Sequence, residues 1–275
     1  YQRSKLIRVN LRALTHLLLG LCAPSRLDSD MLVCIVSDNS WKYSPSSITF
    51  NSIYGGEDED ARITSSWKPV VIQKGPRGVL RQQIAQPVKM MEYFGVKSRH
   101  QLTPQQIAKA SNAKHPIPAG TFVLDMGQNL AGFPQIKVSG KAGQQVRLYL
   151  SETLTAQGTC NQKQSGSPYY LNYTLSGKGE KASDGKRIET WHPHFTYYGY
   201  RYIQVEGAVM KGDENPDGKP VIEDIQSCFV YNSAAKIGSF ECSNPMFNRA
   251  YQIIDRAIRS NWQAVWTDCP HREKL

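Results

Sequence analysis

Between residues 135 and 207 apolar side chains recur at every second position rather than every third or fourth. The stretches "QIKVSG" (135–140), "QVRLYLS" (145–151), "YYLNYTLSG" (169–177) and "RYIQVEG" (201–207) read as half-buried antiparallel strands. Turn-rich clusters separate them: "GKAGQ", "TAQGT", "GKGEKASDGK" and "KGDENPDGKP". Short strands divided by glycine-rich turns predict β-sandwich architecture. An earlier block has its own strand candidates, "MLVCIV", "SSITF" and "VVIQ", and a polar loop, "YGGEDEDAR". The proline-rich, polar stretch "KSRHQLTPQQIAKASNAKHPIPA" (97–119) is the natural boundary between the two blocks. The expected division is an unassigned segment 1–27, a partial amino-terminal sandwich 28–96, a linker 97–119 and a second sandwich 120–235.

After residue 240 the period lengthens. In "SNPMFNRAYQIIDRAIRSNWQAVW" the residues Phe247, Tyr251, Ile254, Ile258 and Trp262 fall on one helical face, and Arg249, Gln252, Arg256 and Arg259 on another. Asn244 is the expected N-cap and Pro245 the first helical residue. A lone amphipathic helix after two β domains has nothing of its own kind to pack on. It is therefore expected to open a helical domain over 236–275 that continues past the last residue. Without that cover it should fray, dock on the β domain or pair with another copy.

Composition narrows the classes. With 40% hydrophobic and 20% charged residues the chain is an ordinary folded protein, not a disordered one. The formal net charge of +10 raises nucleic acid as a partner, but the 33 basic residues are spread without a run of four and accompany no nucleic-acid motif. Six cysteines form no C-x-x-C pair, so neither a zinc site nor a disulfide framework is expected. No stretch approaches a membrane span. "LRALTHLLLGLCAPS" (11–25) has the outline of a secretory signal, but His16 interrupts its apolar run and Leu21 stands where a small residue should precede Cys22. The expectation is a periplasmic or secreted protein, with the cytoplasm as the alternative.

Several motifs could carry chemistry. "TDCPHREKL" (267–275) brings Asp268 and Glu273 close together, and a proton donor beside a hydroxyl acceptor suits a sugar site. Spacing alone favours a helix-terminal loop in which Arg272 and Lys274 balance the two acids. "DMGQN" (125–129) reads as a strand end with a tight turn at Gly127. His192 and His194 share a strand face but have no third ligand in sequence reach, which favours a structural role. "YGGEDEDAR" is acidic enough for calcium but lacks the regular alternation of a calcium loop. About half of the run Trp191, Phe195, Tyr197, Tyr198, Tyr200 and Tyr202 should point into the core.

The stretch "GSFECSNPMFNRAYQIIDRAIRSNWQAVWTDCPHREKL" resembles the entry into the catalytic helical barrel of bacterial α-L-rhamnosidases, the inverting glycoside hydrolases of family 78. "FVLDMGQNLAGFPQIKVSGKAGQQVRLYLSETLTAQGT" and "WHPHFTYYGYRYIQVEG" are similar to that family's β-sandwich before the barrel, and "DNSWKYSPSSITFNSIYGGEDEDAR" to its amino-terminal sandwich. The resemblance implies a mainly β fold: two β-sandwich domains followed by the first helix of a truncated (α/α)6 barrel. It implies hydrolysis of terminal α-L-rhamnosyl groups of plant glycans or glycosides, with Glu273 as general acid and Asp268 holding rhamnose hydroxyls. Arg272 would contact substrate or orient Glu273. The family's general base, a distal Glu, has no counterpart in these residues, so the chain alone is expected to be inactive. The implied partners are a rhamnose-containing carbohydrate and the remaining barrel; cofactor, metal, nucleic acid and membrane are not expected, and the oligomeric state is left open. The competing reading is a non-catalytic carbohydrate-binding or domain-packing module.

Overall fold

The computed structural model describes residues 25–271 apart from 28, 34–37, 74–78, 80, 82, 113–114 and 164–168. The signal-like stretch before Ser25, and Arg272 and Glu273, lie outside the described residues. In chain order the elements are β1 (Ser25–Leu27), β2 (Ser29–Val33), β3 (Lys42–Tyr43), β4 (Ile48–Ser52), β5 (Gly56–Asp60), β6 (Lys68–Pro69), β7 (Val88–Gly95), β8 (Ser98–Gln101), α1 (Pro104–Ala110), β9 (Phe122–Ser139), β10 (Gln145–Ser151), β11 (Tyr170–Thr174), β12 (Glu180–Lys181), β13 (Arg187–Trp191), β14 (Tyr198–Glu206), β15 (Val209–Met210), β16 (Val221–Asn232) and α2 (Pro245–Asn261).

The chain divides into two units. The first, residues 1–48 and 63–82, holds two small antiparallel pairs, β1 with β2 and β3 with β6. Its loop at 44–46 is tied by the Ser44 hydroxyl, which accepts from the Ser66 amide at 2.8 Å. "VVIQ", expected as a strand, is not one: regular pairing stops at Pro69, and Val71 and Ile72 are exposed.

The second unit, residues 49–62 and 83–275, is built on a curled sheet of twelve strands. Its hub is β9. Along one edge β9 pairs first with β14 (Phe122↔Val205 to Gly132↔Tyr198) and then with β13 (Ile136↔Trp191 to Ser139↔Ile188). Along the other edge it pairs first with β8 and then with β16. One arm of the sheet therefore runs from β9 through β14, β10, β11 and β5 to β4, and the other contains β13, β16 and β7. The arms close on a single core, because side chains of both meet there. Leu148, Leu150 and Leu171 of the first arm and Ile222, Ile225 and Phe229 of the second belong to one buried cluster. Tyr173 of β11 stacks on Trp191 of β13 at a centroid distance of 5.1 Å.

The alternation seen in the sequence supplies that core: Val146, Leu148 and Leu150 of β10 are fully buried. On β14 the alternation changes phase. Tyr198 and Tyr200 point inward, then Ile203 and Val205, because the register with β9 shifts between Tyr200 and Tyr202. A bulge of this kind adds residues on one strand and moves the following side chains to the other face. Of the aromatic run, Trp191, Tyr198 and Tyr200 are buried, Tyr197 and Tyr202 are half-buried and Phe195 is exposed.

Two further segments differ from the sequence reading. The expected linker 97–119 carries β8, hydrogen-bonded to β9, and α1, which opens with a Thr103–Gln106 capping box. Within "YGGEDEDAR", expected as a loop, residues 56–60 form β5, paired in parallel with β11 from Gly56↔Tyr170 to Asp60↔Thr174. An acidic run can occupy a buried strand because its carboxylates find donors there. Glu57, fully buried, accepts from the amides of His194 (2.9 Å) and Phe195 (3.0 Å) and from Asn51 Nδ2 (3.0 Å). Glu59 accepts from Trp191 Nε1 at 2.8 Å. Charge-assisted bonds of this kind offset the cost of removing a carboxylate from water.

α2 begins as expected, with the Asn244 side chain accepting from the Met246 amide and Pro245 in the first turn. Its docking is the reverse of the usual arrangement. The arginine-bearing face lies on the sheet: Arg259 Nη1 donates to Glu92 Oε1 of β7 at 3.0 Å and pairs with Asp255 at 2.7 Å, and Arg256 sits over the Phe229 and Phe94 rings. Tyr251 and the C-cap residue Trp262 are half-buried. Phe247, Ile254 and Ile258 stay exposed, at 55%, 57% and 41%, with Met246 and Ile253 beside them. Of the three expected fates of the helix, docking on the β domain is the one observed. Among the described residues no helix is long and apolar enough to cross a membrane.

Replacing Glu57 with Ala would remove the acceptor that the amides of His194 and Phe195 share. Such a loss typically costs about 1–3 kcal/mol. Urea unfolding of Glu57→Ala should show that deficit, and a midpoint equal to wild type would mean that β5 does not depend on its carboxylates.

Candidate functional site

The bulge in β9 and the turn after α2 come together in one place. Residues 126–129 loop out opposite Arg201, while Met126 stays buried in the core as an anchor. Asp125 staples the base of the loop. Its Oδ1 accepts from the Gly127 amide at 2.7 Å and from Arg201 Nε at 2.8 Å, and its Oδ2 accepts from Arg201 Nη2 at 2.7 Å. Gly127 has φ +76°, and a Cβ there would stand 2.4 Å from Lys97 Cγ, so the turn needs glycine twice over. The tight turn expected in "DMGQN" is thus a bulge within a strand. It carries Gln128 and Asn129 to the rim of a groove of about 640 Å³.

The opposite wall is the docked face of α2, with Tyr251, Asp255, Arg256 and Arg259. Glu152, just past the end of β10, lies at one end with Cys269 and Pro270. The mixed lining suits a polar, uncharged ligand better than an apolar one. Glu152 and Asp255 are its two acids, and Glu152 is the one beside His271. The adjacent His271, Nε2 at 3.4 Å from Glu152 Oε2, holds its carboxyl below the usual range. Partial burial opposes this shift, and a hydrogen bond from Asn129 Nδ2 (2.9 Å) supports it.

Of the sequence-predicted site residues, Asp268 directly precedes Cys269 and Pro270, which line this groove. After α2, Trp262 stacks on Trp266 at 5.1 Å and Thr267 donates its amide to the Asn261 carbonyl, which turns the chain back. Gln263 ties the turn to β16 by donating to the Val230 carbonyl at 3.1 Å. Asp268 follows on the exposed side, Cys269 is half-buried, and Pro270 and His271 are buried. Arg272 and Glu273 follow outside the described residues. Sequence reading weighed Asn129 within "DMGQN" as a polar ligand and favoured a turn, and it missed Glu152; nothing local marks a glutamate at a strand end as the partner of a histidine far along the chain.

A second polar cluster lies elsewhere in the same unit. His194 Nδ1 stands 3.4 Å from Glu57 Oε1 and 3.6 Å from Glu59 Oε2. The further ligand types that sequence reading did not find near "HPHF" therefore come from β5 and could surround a cation. Both carboxylates already accept hydrogen bonds from the protein, and His192 turns its Nδ1 to the Pro193 carbonyl and its ring onto Phe133. This arrangement suits a strut between β5 and the loop after β13.

Three family descriptions match the chain in succession: the α-L-rhamnosidase N-terminal domain over residues 18–92, the bacterial α-L-rhamnosidase concanavalin-like domain over 115–231, and the bacterial α-L-rhamnosidase 6 hairpin glycosidase domain over 235–275. The chain belongs to the bacterial α-L-rhamnosidase family. An α-L-rhamnosidase of Formosa agariphila is 29% identical over 247 residues, 86% of this chain and 24% of that protein. An α-L-rhamnosidase structure from Dictyoglumus thermophilum superposes with a TM-score of 0.67 at 28% identity, over 89% of this chain and 26% of that one. One from Streptomyces avermitilis, complexed with L-rhamnose, superposes with a TM-score of 0.65 at 26% identity, over 88% and 22%. The chain thus spans about a quarter of the length of the curated rhamnosidases it matches. In this rhamnosidase-family chain the groove stands where the concanavalin-like domain passes into the start of the hairpin glycosidase domain.

The Asp125 staple gives a pH-dependent test of the bulge. Arg201 beside it holds the Asp125 carboxyl below its ordinary value; burial opposes this, and the Gly127 amide adds to the lowering. A depressed carboxyl adds stability above its unfolded-state pKa and loses it as pH falls through the lower folded value. Asp125→Asn should therefore cost about 1 kcal/mol at pH 7, a modest figure because the pair is partly exposed. The deficit should shrink as pH falls below the ordinary carboxyl range. A deficit independent of pH in urea titrations would remove the ion pair from the account.

Proposed function

We propose that this chain is the β platform and barrel entry of an inverting α-L-rhamnosidase acting on terminal α-L-rhamnosyl groups of plant glycans or glycosides. The observation that carries this reading is the succession, in order, of the three rhamnosidase domain matches along one chain, ending in "TDCPHREKL". In this reading Glu273 is the general acid that protonates the departing glycosidic oxygen. Asp268, exposed beside the groove, accepts hydrogen bonds from rhamnose hydroxyls, and Arg272 contacts the sugar or orients Glu273. A glutamate in the remaining barrel activates water on the opposite face, about 6.5–9.5 Å from the acid, as inversion requires. The apolar face of α2, with Met246, Phe247, Ile253, Ile254 and Ile258 exposed, supports a further layer of helices packing on it. Each such side chain contributes about 1.5–3 kcal/mol when fully covered.

The test is made in the full-length gene product with an aryl α-L-rhamnoside. Glu273→Gln should lower kcat by about 10²–10⁴-fold, whereas Asp268→Asn should act mainly on KM or on kcat/KM. The first sugar released, followed by NMR, should be the β anomer. Residues 1–275 alone should release no measurable product, because acid and base must both be present. Near-normal kcat in Glu273→Gln, or turnover by residues 1–275, would exclude this assignment and favour a non-catalytic carbohydrate-binding module.

A further inference from the structure

A metal site needs donor atoms of the right kind, spaced by the size of an ion, held by outer hydrogen bonds and open to entry. The strut between β5 and the loop after β13 meets all of these conditions. Glu57 and Glu59 stand two positions apart on β5, so the extended chain turns both side chains to one face. His194 meets both there, with Nδ1 3.4 Å from Glu57 Oε1 and 3.6 Å from Glu59 Oε2. One donor atom from each of the three residues lies within 4.8 Å of the other two. A charge-assisted hydrogen bond from imidazole to carboxylate would be shorter, at about 2.7–2.9 Å. Zinc bonds of about 2.0–2.2 Å to imidazole nitrogen and carboxylate oxygen instead set neighbouring ligand atoms of a tetrahedron about 3.3–3.6 Å apart. The histidine thus stands from each carboxylate at the spacing that a shared ion imposes.

The carboxylates are aimed before any ion arrives. Glu57 Oε2 accepts from Asn51 Nδ2 and from the Phe195 amide, both at 3.0 Å, and Oε1 accepts from the His194 amide at 2.9 Å. A carboxylate oxygen has two lone pairs, so Oε1 can accept that amide and still face Nδ1 with the other. Trp191 Nε1 donates to Glu59 Oε2 at 2.8 Å. Outer hydrogen bonds of this kind orient the ligands of a metal. Glu57 and Glu59 are 0% and 6% exposed, so two negative charges lie side by side out of water, and a divalent cation between them removes their repulsion. The His194 side chain is 38% exposed. That open side admits an ion and leaves its fourth coordination position to water. Calcium and magnesium prefer cages of six or more oxygens, whereas one imidazole with two carboxylates is a donor set for zinc. His192 stands aside, with Nδ1 turned to the Pro193 carbonyl at 2.9 Å and its ring stacked on Phe133 at 5.1 Å.

We propose that Glu57, Glu59 and His194 bind a divalent ion of the zinc class through Oε1, Oε2 and Nδ1, and that the ion fastens the loop after β13 to β5. Binding displaces a proton wherever Nδ1 carries one, because the ligating imidazole must present a lone pair. The site is independent of the acid–base assignment at residues 268–273.

The experiment uses the full-length gene product, stripped of metal with a chelator and titrated with zinc chloride in a calorimeter, beside His194→Ala, Glu59→Gln and His192→Ala. His194→Ala and Glu59→Gln should each weaken zinc binding by at least about tenfold, since each removes a ligand, whereas His192→Ala should stay within about threefold of wild type. The visible absorption that cobalt(II) gains in wild type and loses in His194→Ala should be that of four-coordinate cobalt, without the near-ultraviolet band that thiolate ligation adds. This separates the site from the cysteines. His194→Ala keeps the backbone amide that Glu57 accepts from, and its metal-free urea midpoint checks that it folds. If Glu59→Gln does not fold, His194→Ala decides. Failure of wild type to take up zinc, undiminished affinity in a folded His194→Ala or Glu59→Gln, or a thiolate band in the cobalt difference spectrum overturns the proposal and leaves His194 as a plain ion-pair partner of the two acids.

Discussion

The backbone of β9 has to satisfy hydrogen bonds on both of its edges with a change of partner part-way along each. One edge passes from β14 to β13 and the other from β8 to β16. A strand that serves two arms of a curled sheet cannot keep a perfect ladder, because each arm brings its own twist. The mismatch is absorbed in residues 126–129, opposite Arg201. That single irregularity has consequences in three directions. It shifts the phase of inward side chains on β14, it places Met126 in the core, and it projects Gln128 and Asn129 toward α2. A bulge costs ladder hydrogen bonds, and the Asp125–Arg201–Gly127 bonds offset that loss locally.

The same unit relies on buried acids to an unusual degree. Glu57 and Glu59 anchor an acidic strand paired in parallel with β11, and Glu189 accepts from Tyr173 Oη, the Ser176 amide and hydroxyl, and the Gly177 amide. Each carboxylate joins segments that no apolar contact would hold in register. Burial of charge is favourable here only because several donors converge on each group, and loss of one donor set would leave a charge stranded. Polar fastening recurs at α2, where Arg259, Glu92 and Asp255 hold the helix to the sheet. A polar seam of that kind leaves the hydrophobic face free for other partners, which an apolar seam would have consumed.

Much of the β architecture was legible along the chain. Alternation marked β10, β11, β14 and the second half of β9, and the Asn244–Pro245 pair marked the start of α2 to the residue. Both signals are local: a period of two states which side chains seek cover, and a cap states where a helix can begin. The segments that escaped were those whose local signals conflict with their place in the fold. "GEDED" looks like a loop because its carboxylates call for water, yet Glu57 is met by amides 137 and 138 residues away. β8 was hidden in a proline-rich stretch because a short edge strand needs no apolar pattern once β9 is there to pair with it.

The chemistry divides along the same line. The sequence by itself determined that Asp268, Arg272 and Glu273 are neighbours, that an amphipathic helix leads into them, and that the whole run has the order of a rhamnosidase. Only the tertiary structure decided which face of that helix meets the sheet, and that Asn129, Glu152 and Gly199 form the seat for Pro270 and His271. Periodicity counts apolar positions without regard to the partner surface, so it could not foresee that Glu92 would draw the arginines inward. The seat depends on a β9 bulge, a strand end and a missing Cβ arriving at one point, and nothing short of the folded chain specifies that convergence.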